Sequence, residues 1–262
     1  MLNIELINDD CLSAMGNIPD KSIDMIFTDL PYGTTKDEKD KPIDLDALWE
    51  QYNRIVKDNG VIALWAQSPF DKILACSNLP MYRYEWIVEK GAGTGFLNAK
   101  KMPLKCHENV LIFYKKLPIY NPQMTHGHER KVSTVAHKRN CKKTVDYGSH
   151  GLTGYDSTDR YPRDVLKFSW DKQKSSLHPQ QKPVAACEYF IKTYTNKRDI
   201  VLDSTMGSGT TGVAAITLNR SFIGIEKDSE RYAVAKGRIT PLVLNLSEKT
   251  GFPFTTNERN LI

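Results

Sequence analysis

Apolar runs separated by helix-patterned and polar stretches divide this 262-residue chain into a regular beginning, an irregular middle and a regular end. Asn3 to Ile7 has the pattern of a short strand, and Ser22-Ile23-Asp24-Met25-Ile26-Phe27-Thr28 predicts a second, ending at Asp29. Over 44–57, Leu45, Leu48, Trp49, Tyr52 and Ile55-Val56 recur at helical spacing. Asp58-Asn59-Gly60 is a turn signal, after which Val61 to Ala66 is apolar throughout, as expected of a buried strand. Glu85 to Glu89 and Val110 to Tyr114 are two further strand candidates. Residues 115–176 are rich in Gly, Pro, Ser, Thr, His and basic side chains and show little periodicity. Regular patterning then resumes. Pro183 opens a helix over 184–195, Ile200 to Leu202 is a strand running into a glycine turn at 207–209, and Thr210 to Leu218 is helical. Phe222 to Ile225 is a strand, and Asp228 caps a helix through about Arg238. Strands alternating with helices at both ends predict an α/β fold with a mostly parallel sheet. The expected organisation is a core of residues 1–114 and 177–262 carrying an insertion at 115–176, without internal repeats.

Composition narrows the class without naming it. Hydrophobic residues are 40% and charged residues 26%, which excludes disordered, collagen-like and disulfide-scaffold chains. No run approaches the ~18 apolar residues that span a bilayer, and Met1-Leu2-Asn3-Ile4-Glu5 lacks the blocks of a signal peptide. A cytoplasmic protein without membrane partners is expected. The five cysteines are widely spaced, odd in number and without C-x-x-C, so reduced thiols are expected.

Two motifs carry chemistry. In V-L-D-S-T-M-G-S-G-T-T-G (201–212), Gly207, Gly209 and Gly212 fit G-x-G-x-x-G between a strand and a helix start. The next strand ends at Glu226, where a carboxylate accepts hydrogen bonds from ribose hydroxyls. The pattern suits a nicotinamide dinucleotide or another adenosine cofactor such as S-adenosylmethionine. Asp203, just ahead of the turn, is unfavourable beside pyrophosphate and favourable beside a cationic amino group. The second motif is Thr28-Asp29-Leu30-Pro31-Tyr32-Gly33. There a carboxylate and the Leu30 carbonyl could together accept two hydrogen bonds from one planar amino group, with Tyr32 stacked on the ring that bears it. The same residue types also serve an ordinary strand-to-turn exit.

Together the motifs resemble the β-class amino-methyltransferases of DNA, which methylate adenine N6 or cytosine N4. T-D-L-P-Y-G looks like their D-P-P-Y motif, 201–211 like their cofactor motif, and His178-Pro179-Gln180-Gln181-Lys182-Pro183 like their H-P-x-x-K-P signature. The order of the three is also that of the β class. The resemblance implies a Rossmann-like, S-adenosylmethionine-dependent methyltransferase fold, its mostly parallel sheet containing one antiparallel strand. By position, Asp29, Leu30, Pro31 and Tyr32 would hold the target base. Asp10, Asp203, Thr205, Gly207, Ser208, Gly209, Thr210, Thr211, Glu226, His178 and Lys182 would line the cofactor pocket, with Asp10 near the adenine. Two positions depart from the family pattern: Leu30 replaces the first proline of D-P-P-Y, and Thr205 stands where many relatives carry Phe. An aspartate-led motif points to adenine N6, with cytosine N4 as the alternative.

Charge acquires a meaning once it is located. The chain carries 36 basic and 31 acidic residues, a net +5. Residues 115–174 hold 13 basic and 6 acidic residues, whereas the remainder holds 23 and 25. The basic excess therefore lies in the region that the family uses for target recognition, and the expected partner is double-stranded DNA. Arg130, Lys131, Lys138, Arg139, Lys142 and Lys143 are the candidate contacts there, though a solvated basic loop has the same composition. Lys90 and Asn98, flanking the run Gly91-Ala92-Gly93-Thr94-Gly95, are secondary candidates. His126, His128, His137 and Cys141 match no standard zinc spacing, so no metal is expected. The resemblance further admits a homodimer and a cognate restriction endonuclease as partners. Competing readings are a nicotinamide oxidoreductase, which leaves T-D-L-P-Y-G and H-P-Q-Q-K-P unexplained, and a non-catalytic DNA-binding protein with a relic cofactor fold.

Overall fold

The apolar runs become strands buried on both faces. The computed structural model describes residues 2–33, 41–135, 154–169, 182–250 and 254–259. Its strands are β1 (Leu2–Ile7), β2 (Ile23–Asp29), β3 (Val56–Ala66), β4 (Tyr82–Thr94), β5 (Lys105–Phe113), β6 (Lys131–Ser133), β7 (Tyr155–Ser157), β8 (Val165–Phe168), β9 (Ile200–Asp203), β10 (Ser221–Ile225) and β11 (Phe254–Arg259). Its helices are α1 (Cys11–Met15), α2 (Leu45–Ile55), α3 (Phe70–Ser77), α4 (Val184–Tyr194), α5 (Thr210–Thr217) and α6 (Ser229–Thr250). Nine strands form one sheet in the order β11-β1-β10-β9-β2-β3-β5-β4-β8. Among the described residues, β5 alone runs against the others. The fold is thus α/β, with the single antiparallel strand that the resemblance implies.

Alternation along the strands sends successive side chains to opposite faces, and helices cover both. Met25 and Phe27 of β2 and Val61, Ala63 and Trp65 of β3 pack with Ala186, Phe190 and Ile191 of α4 and with Ala214 and Ile216 of α5. Ile26, Ile62, Leu64 and Ala66 face the other way, onto Leu48, Tyr52 and Ile55 of α2 and Leu74 of α3. Two-sided burial explains why β3 is apolar without interruption from Val61. Helix α2 starts where the Asp44 carboxylate accepts the amides of Asp46 and Ala47, 2.9 and 3.2 Å away.

Several expected boundaries move. Asp58-Asn59-Gly60 is not a turn between elements but an irregularity inside β3, where the pairing with β2 shifts register between Ile23 and Met25. Helix α6 continues past Arg238 to Thr250 with Pro241 inside it. Ile239 and Val243, on either side of the proline, are buried against the core, and this packing outweighs the missing backbone donor.

The chain forms two compact units. Met1–Asn121 with Asp164–Ile262 contains the large sheet, and Pro122–Arg163 is the second unit. The second unit is narrower than the expected insertion at both ends. The Asn121 side chain donates to the carbonyls of Lys192 and Thr195, and Val165–Phe168 pairs with β4. Within the second unit β6 and β7 pair antiparallel, and the Arg160 guanidinium donates to the carbonyls of Ser157 and Asp159.

Candidate active site

The sheet order places the candidate residues. Neighbouring strands β9 and β2 lead to helices on opposite faces, α5 on one and α2 on the other. Such a switch point opens a crevice at the carboxyl ends of the strands. The loops after β1, β10, β9 and β2 stand side by side there. They bring Asp10, Glu226, the 203–209 loop and Asp29 along one edge in that order.

The glycine loop is held from both sides. Gly207 and Gly209 adopt φ of +51° and +76°, a region that favours glycine. A Cβ at Gly207 would meet nothing within 4 Å, so the loop leaves open space beside it. Glu226, at the end of β10, accepts the Gly207 amide through Oε2 at 2.9 Å and the Asp228 amide through Oε1 at 2.9 Å. This leaves lone pairs on both oxygens. Asp10 is exposed and caps α1 by accepting the Leu12 amide at 3.0 Å. Ser208, Thr210 and Thr211, whose hydroxyls were expected near the cofactor, are buried. Arg238 of α6 donates to the Ser208 carbonyl, and its Nη1 lies 3.1 Å from Ser208 Oγ and 3.2 Å from Thr210 Oγ1.

Asp203 is 3% exposed, and its carboxylate faces protein. It accepts the Thr28 hydroxyl at 2.7 Å, the Thr205 amide at 3.2 Å and the Thr211 hydroxyl. Burial pushes its pKa up to about 6, against the pull of these donors and with a smaller push from Asp29. Thr205 bonds back to the end of β2. Its hydroxyl donates to the Asp29 carbonyl at 2.9 Å and lies 2.8 Å from the Thr28 hydroxyl, tying the glycine loop to the end of β2.

At that strand end the Asp29 carboxylate has two partners. The Tyr32 hydroxyl donates to Oδ1 at 2.5 Å, and the Lys182 ammonium lies 2.8 Å from Oδ2. Tyr32 stacks on Phe70 with ring centroids 5.0 Å apart, and Leu30 is buried. Lys182, which the resemblance puts in the lining of the cofactor pocket, thus touches the carboxylate of T-D-L-P-Y-G. It also lies 2.7 Å from Glu108 Oε2 and 5.2 Å from the centre of the Trp65 ring. Burial works against the lysine charge, but the carboxylates of Asp29 and Glu108 outweigh it and raise its pKa above the ordinary lysine value. Burial likewise opposes the Glu108 charge. Lys182 and Lys90 on its two oxygens outweigh that and hold it below the usual carboxylate range.

Lys90, expected at DNA, is thus a buried partner of Glu108, with only 10% of its side chain exposed. Asn98 is exposed, in a short 3-10 turn over Phe96–Asn98. In the second unit Arg130 forms a bidentate pair with Asp156, 2.8 and 2.7 Å, and Lys131 is exposed on β6. His126 lies 2.9 Å from Asp159, and His128 is 2.7 Å from the Thr125 hydroxyl. Four cysteines, Cys11, Cys76, Cys106 and Cys187, are free thiols. His178, Lys138, Arg139, Lys142, Lys143, His137 and Cys141 lie outside the described residues. Among the described residues, no helix is long and apolar enough to cross a membrane.

Sequence reasoning missed Glu108, Arg238 and Thr28. Glu108-Asn109 is a polar pair at the head of the apolar run Val110–Phe113, and a carboxylate entering a buried strand is a legible signal for a paired charge. Arg238 and Thr28 give no such signal, because their partners lie far away in sequence.

The chain is similar to several known proteins. The type II methyltransferase M2.MboI of Moraxella bovis is 27% identical over 269 residues, covering 93% of this chain and 91% of that protein. The type II methyltransferase M.BglII of Bacillus subtilis is 28% identical over 262 residues, covering 88% and 67%. Among solved structures, the M1.HpyAVI–SAM complex superposes with a TM-score of 0.62 at 24% identity, covering 90% of this chain and 98% of that one. The PvuII DNA methyltransferase, described as cytosine-N4-specific, gives 0.65 at 17% identity, covering 100% and 96%. The family model described as DNA methylase matches residues 23–237, a span that runs from the first residue of β2 through the glycine loop and into α6. By that match the chain belongs to the N6/N4 DNA methylase family.

Proposed function

We propose that this chain transfers a methyl group from S-adenosylmethionine to N6 of an adenine flipped out of duplex DNA. The observation that carries the reading is the end of β2, where the Asp29 carboxylate, the Leu30 carbonyl and the Tyr32 ring adjoin the glycine loop across the switch point.

The cofactor cradle fits its ligand on structural grounds. A Cβ at Gly207 would meet open space, and along the strand ends its loop comes between those that carry Glu226 and Asp10 and the one that carries Asp29. Carboxylates along that edge favour a cation with ribose hydroxyls and disfavour a pyrophosphate. Glu226 and Asp10 would face the nucleoside, and the amides at the start of α5 the carboxylate. Bound there, S-adenosylmethionine supplies an electrophilic methyl group.

The chain's own residues do the positioning. Flipping costs a few kcal/mol of unstacking. Tyr32 offers a stacking face for the base, and Asp29 with the Leu30 carbonyl accepts the two amino hydrogens. This orientation turns the nitrogen lone pair away from the ring and toward the cradle. Lys182 holds Asp29 from behind through Oδ2, so the carboxylate keeps one orientation. Rate enhancement then comes from positioning and fixed charge. The Tyr32 hydroxyl takes one lone pair of Oδ1, and the second remains for an amino hydrogen. The second unit, with Arg130 and Lys131 and the basic run that follows them in the sequence, supplies target recognition, with double-stranded DNA as partner and the cytoplasm as location.

Cytosine N4 is the second reading, favoured by the likeness to the PvuII enzyme. Incubating the chain with tritiated S-adenosylmethionine and unmethylated duplex DNA, then digesting to nucleosides, separates the two. Label in N6-methyl-2′-deoxyadenosine supports the proposal, and label in N4-methyl-2′-deoxycytidine overturns it.

A further inference from the structure

The hairpin joining β4 and β5 carries an apolar tip that the site does not explain. Phe96 is 76% and Leu97 84% exposed, and Met102 and Leu104 of the same hairpin are exposed as well. The tip is nevertheless ordered by its own backbone. Gly95 turns the chain at φ +90°, and the amides of Asn98 and Lys101 bond the carbonyls of Gly95 and Asn98 at 2.9 and 2.8 Å. Gly93 lies so close to Leu104 that a Cβ there would come within 2.8 Å of the Leu104 Cβ.

Charge indicates the partner. Residues 90–107 contain Lys90, Lys100, Lys101 and Lys105 and no carboxylate. Lys100 and Lys101 are exposed in the same loop as Phe96 and Leu97. An apolar point between cations matches a polyanion with a stacked apolar interior, and apolar side chains entering base steps unstack them.

Position indicates the place of action. Strand β4 runs in the same direction as β3, so the hairpin leaves the sheet at the edge where β2 ends in Asp29. Its stem is anchored to that residue by a line of charges, Lys90 to Glu108, Glu108 to Lys182 and Lys182 to Asp29. From Glu108 to Lys105 is about 10 Å of strand, and the tip lies beyond.

We infer that Phe96 and Leu97 form a wedge that enters the DNA stack at the target step and holds the vacated space, while Lys100 and Lys101 take the flanking phosphates. The inference rests on the activity proposed above. It is tested on duplexes bearing the recognition site, once sequencing has mapped it. In one duplex the target base is normally paired, and in the other an abasic site lies opposite it. A wedge matters when the base must be pried from its partner and matters little when it is already loose.

The double variant Phe96→Ala/Leu97→Ala should slow methylation of the paired duplex about tenfold or more, but stay within about threefold of the parent chain on the abasic one. Phe96→Trp, which keeps the apolar bulk, should retain the paired rate, and calorimetry should show unchanged cofactor affinity in all variants. Equal loss on both duplexes, or an unchanged rate on the paired one, overturns the wedge. A parent chain that methylates neither duplex overturns the activity itself, and the wedge with it.

Discussion

Lys182 Nζ lies 2.8 Å from Asp29 Oδ2, with only 10% of the lysine side chain exposed. A residue of the H-P-x-x-K-P signature thereby holds the carboxylate of the T-D-L-P-Y-G motif, and the same ammonium reaches Glu108. The two motifs, 153 residues apart in sequence, form one charged unit. With Lys90 on the other Glu108 oxygen, the unit pairs two ammonium groups with two carboxylates.

Removing the lysine should therefore be costly. Lys182→Met leaves Lys90 as the one ammonium for Glu108 and Asp29 and should destabilise the chain by about 1–3 kcal/mol, read from urea unfolding midpoints. Adding Glu108→Gln removes one of the two carboxylates left beside Lys90 and should restore part of the loss. Strict additivity of the two effects would show that the groups are not coupled.

Tyr32 has two separable parts. Tyr32→Phe frees Asp29 Oδ1 but keeps the ring on Phe70, so methyl transfer should stay within about threefold of the parent rate. Tyr32→Ala removes the stacking face and should cost about 10- to 100-fold in kcat/KM. A large loss in Tyr32→Phe would assign the hydroxyl a direct role in the reaction.

Asp203 should leave a pH signature in stability. Its folded pKa, about 6, lies above the ordinary value of 3.8. The folded state therefore binds the proton more tightly than the unfolded state. The favourable contribution is complete below the ordinary value and is lost as pH rises through about 6. Asp203→Asn cannot ionise, so relative to the parent chain it should gain stability between pH 4 and pH 7 and change little above. Chemical unfolding at several pH values checks this, and a constant offset would contradict a raised pKa at Asp203.

The glycine loop separates binding from stability. Gly207→Asp places a carboxylate in the open space of the cradle and costs about 1 kcal/mol of backbone strain. Cofactor affinity should fall at least tenfold by calorimetry while the unfolding midpoint moves little. At Gly209 a Cβ would come within 3.0 Å of the Ala235 Cβ and the Ile239 Cδ1. Gly209→Ala should accordingly lose about 1–3 kcal/mol of stability. If Gly207→Asp binds the cofactor normally, the cradle lies elsewhere.

Much of this was legible in the chain. The two-sided strands announced themselves as unbroken apolar runs, and the glycine loop and T-D-L-P-Y-G each mark a strand end, where the switch point puts them together. The antiparallel strand came from the resemblance alone, since periodicity carries no direction. Long-range pairing was the hidden part. Nothing local says that Thr205 bonds the Asp29 carbonyl, that Arg238 braces Ser208, or that Lys90 is spent on Glu108. The ends of α6 and of the insertion were misplaced for a related reason. Packing around Pro241 and the pairing of Val165–Phe168 with β4 are tertiary events.

Base-resolved long-read sequencing tests the reaction most directly. DNA is taken from cells that lack their own DNA methyltransferases and express either the parent chain or Asp29→Ala. The expected result is N6-methyladenine at one recurrent sequence with the parent chain and none with Asp29→Ala. N4-methylcytosine at that sequence, unmodified DNA with the parent chain, or equal methylation with both would contradict adenine-N6 transfer at the Asp29 site.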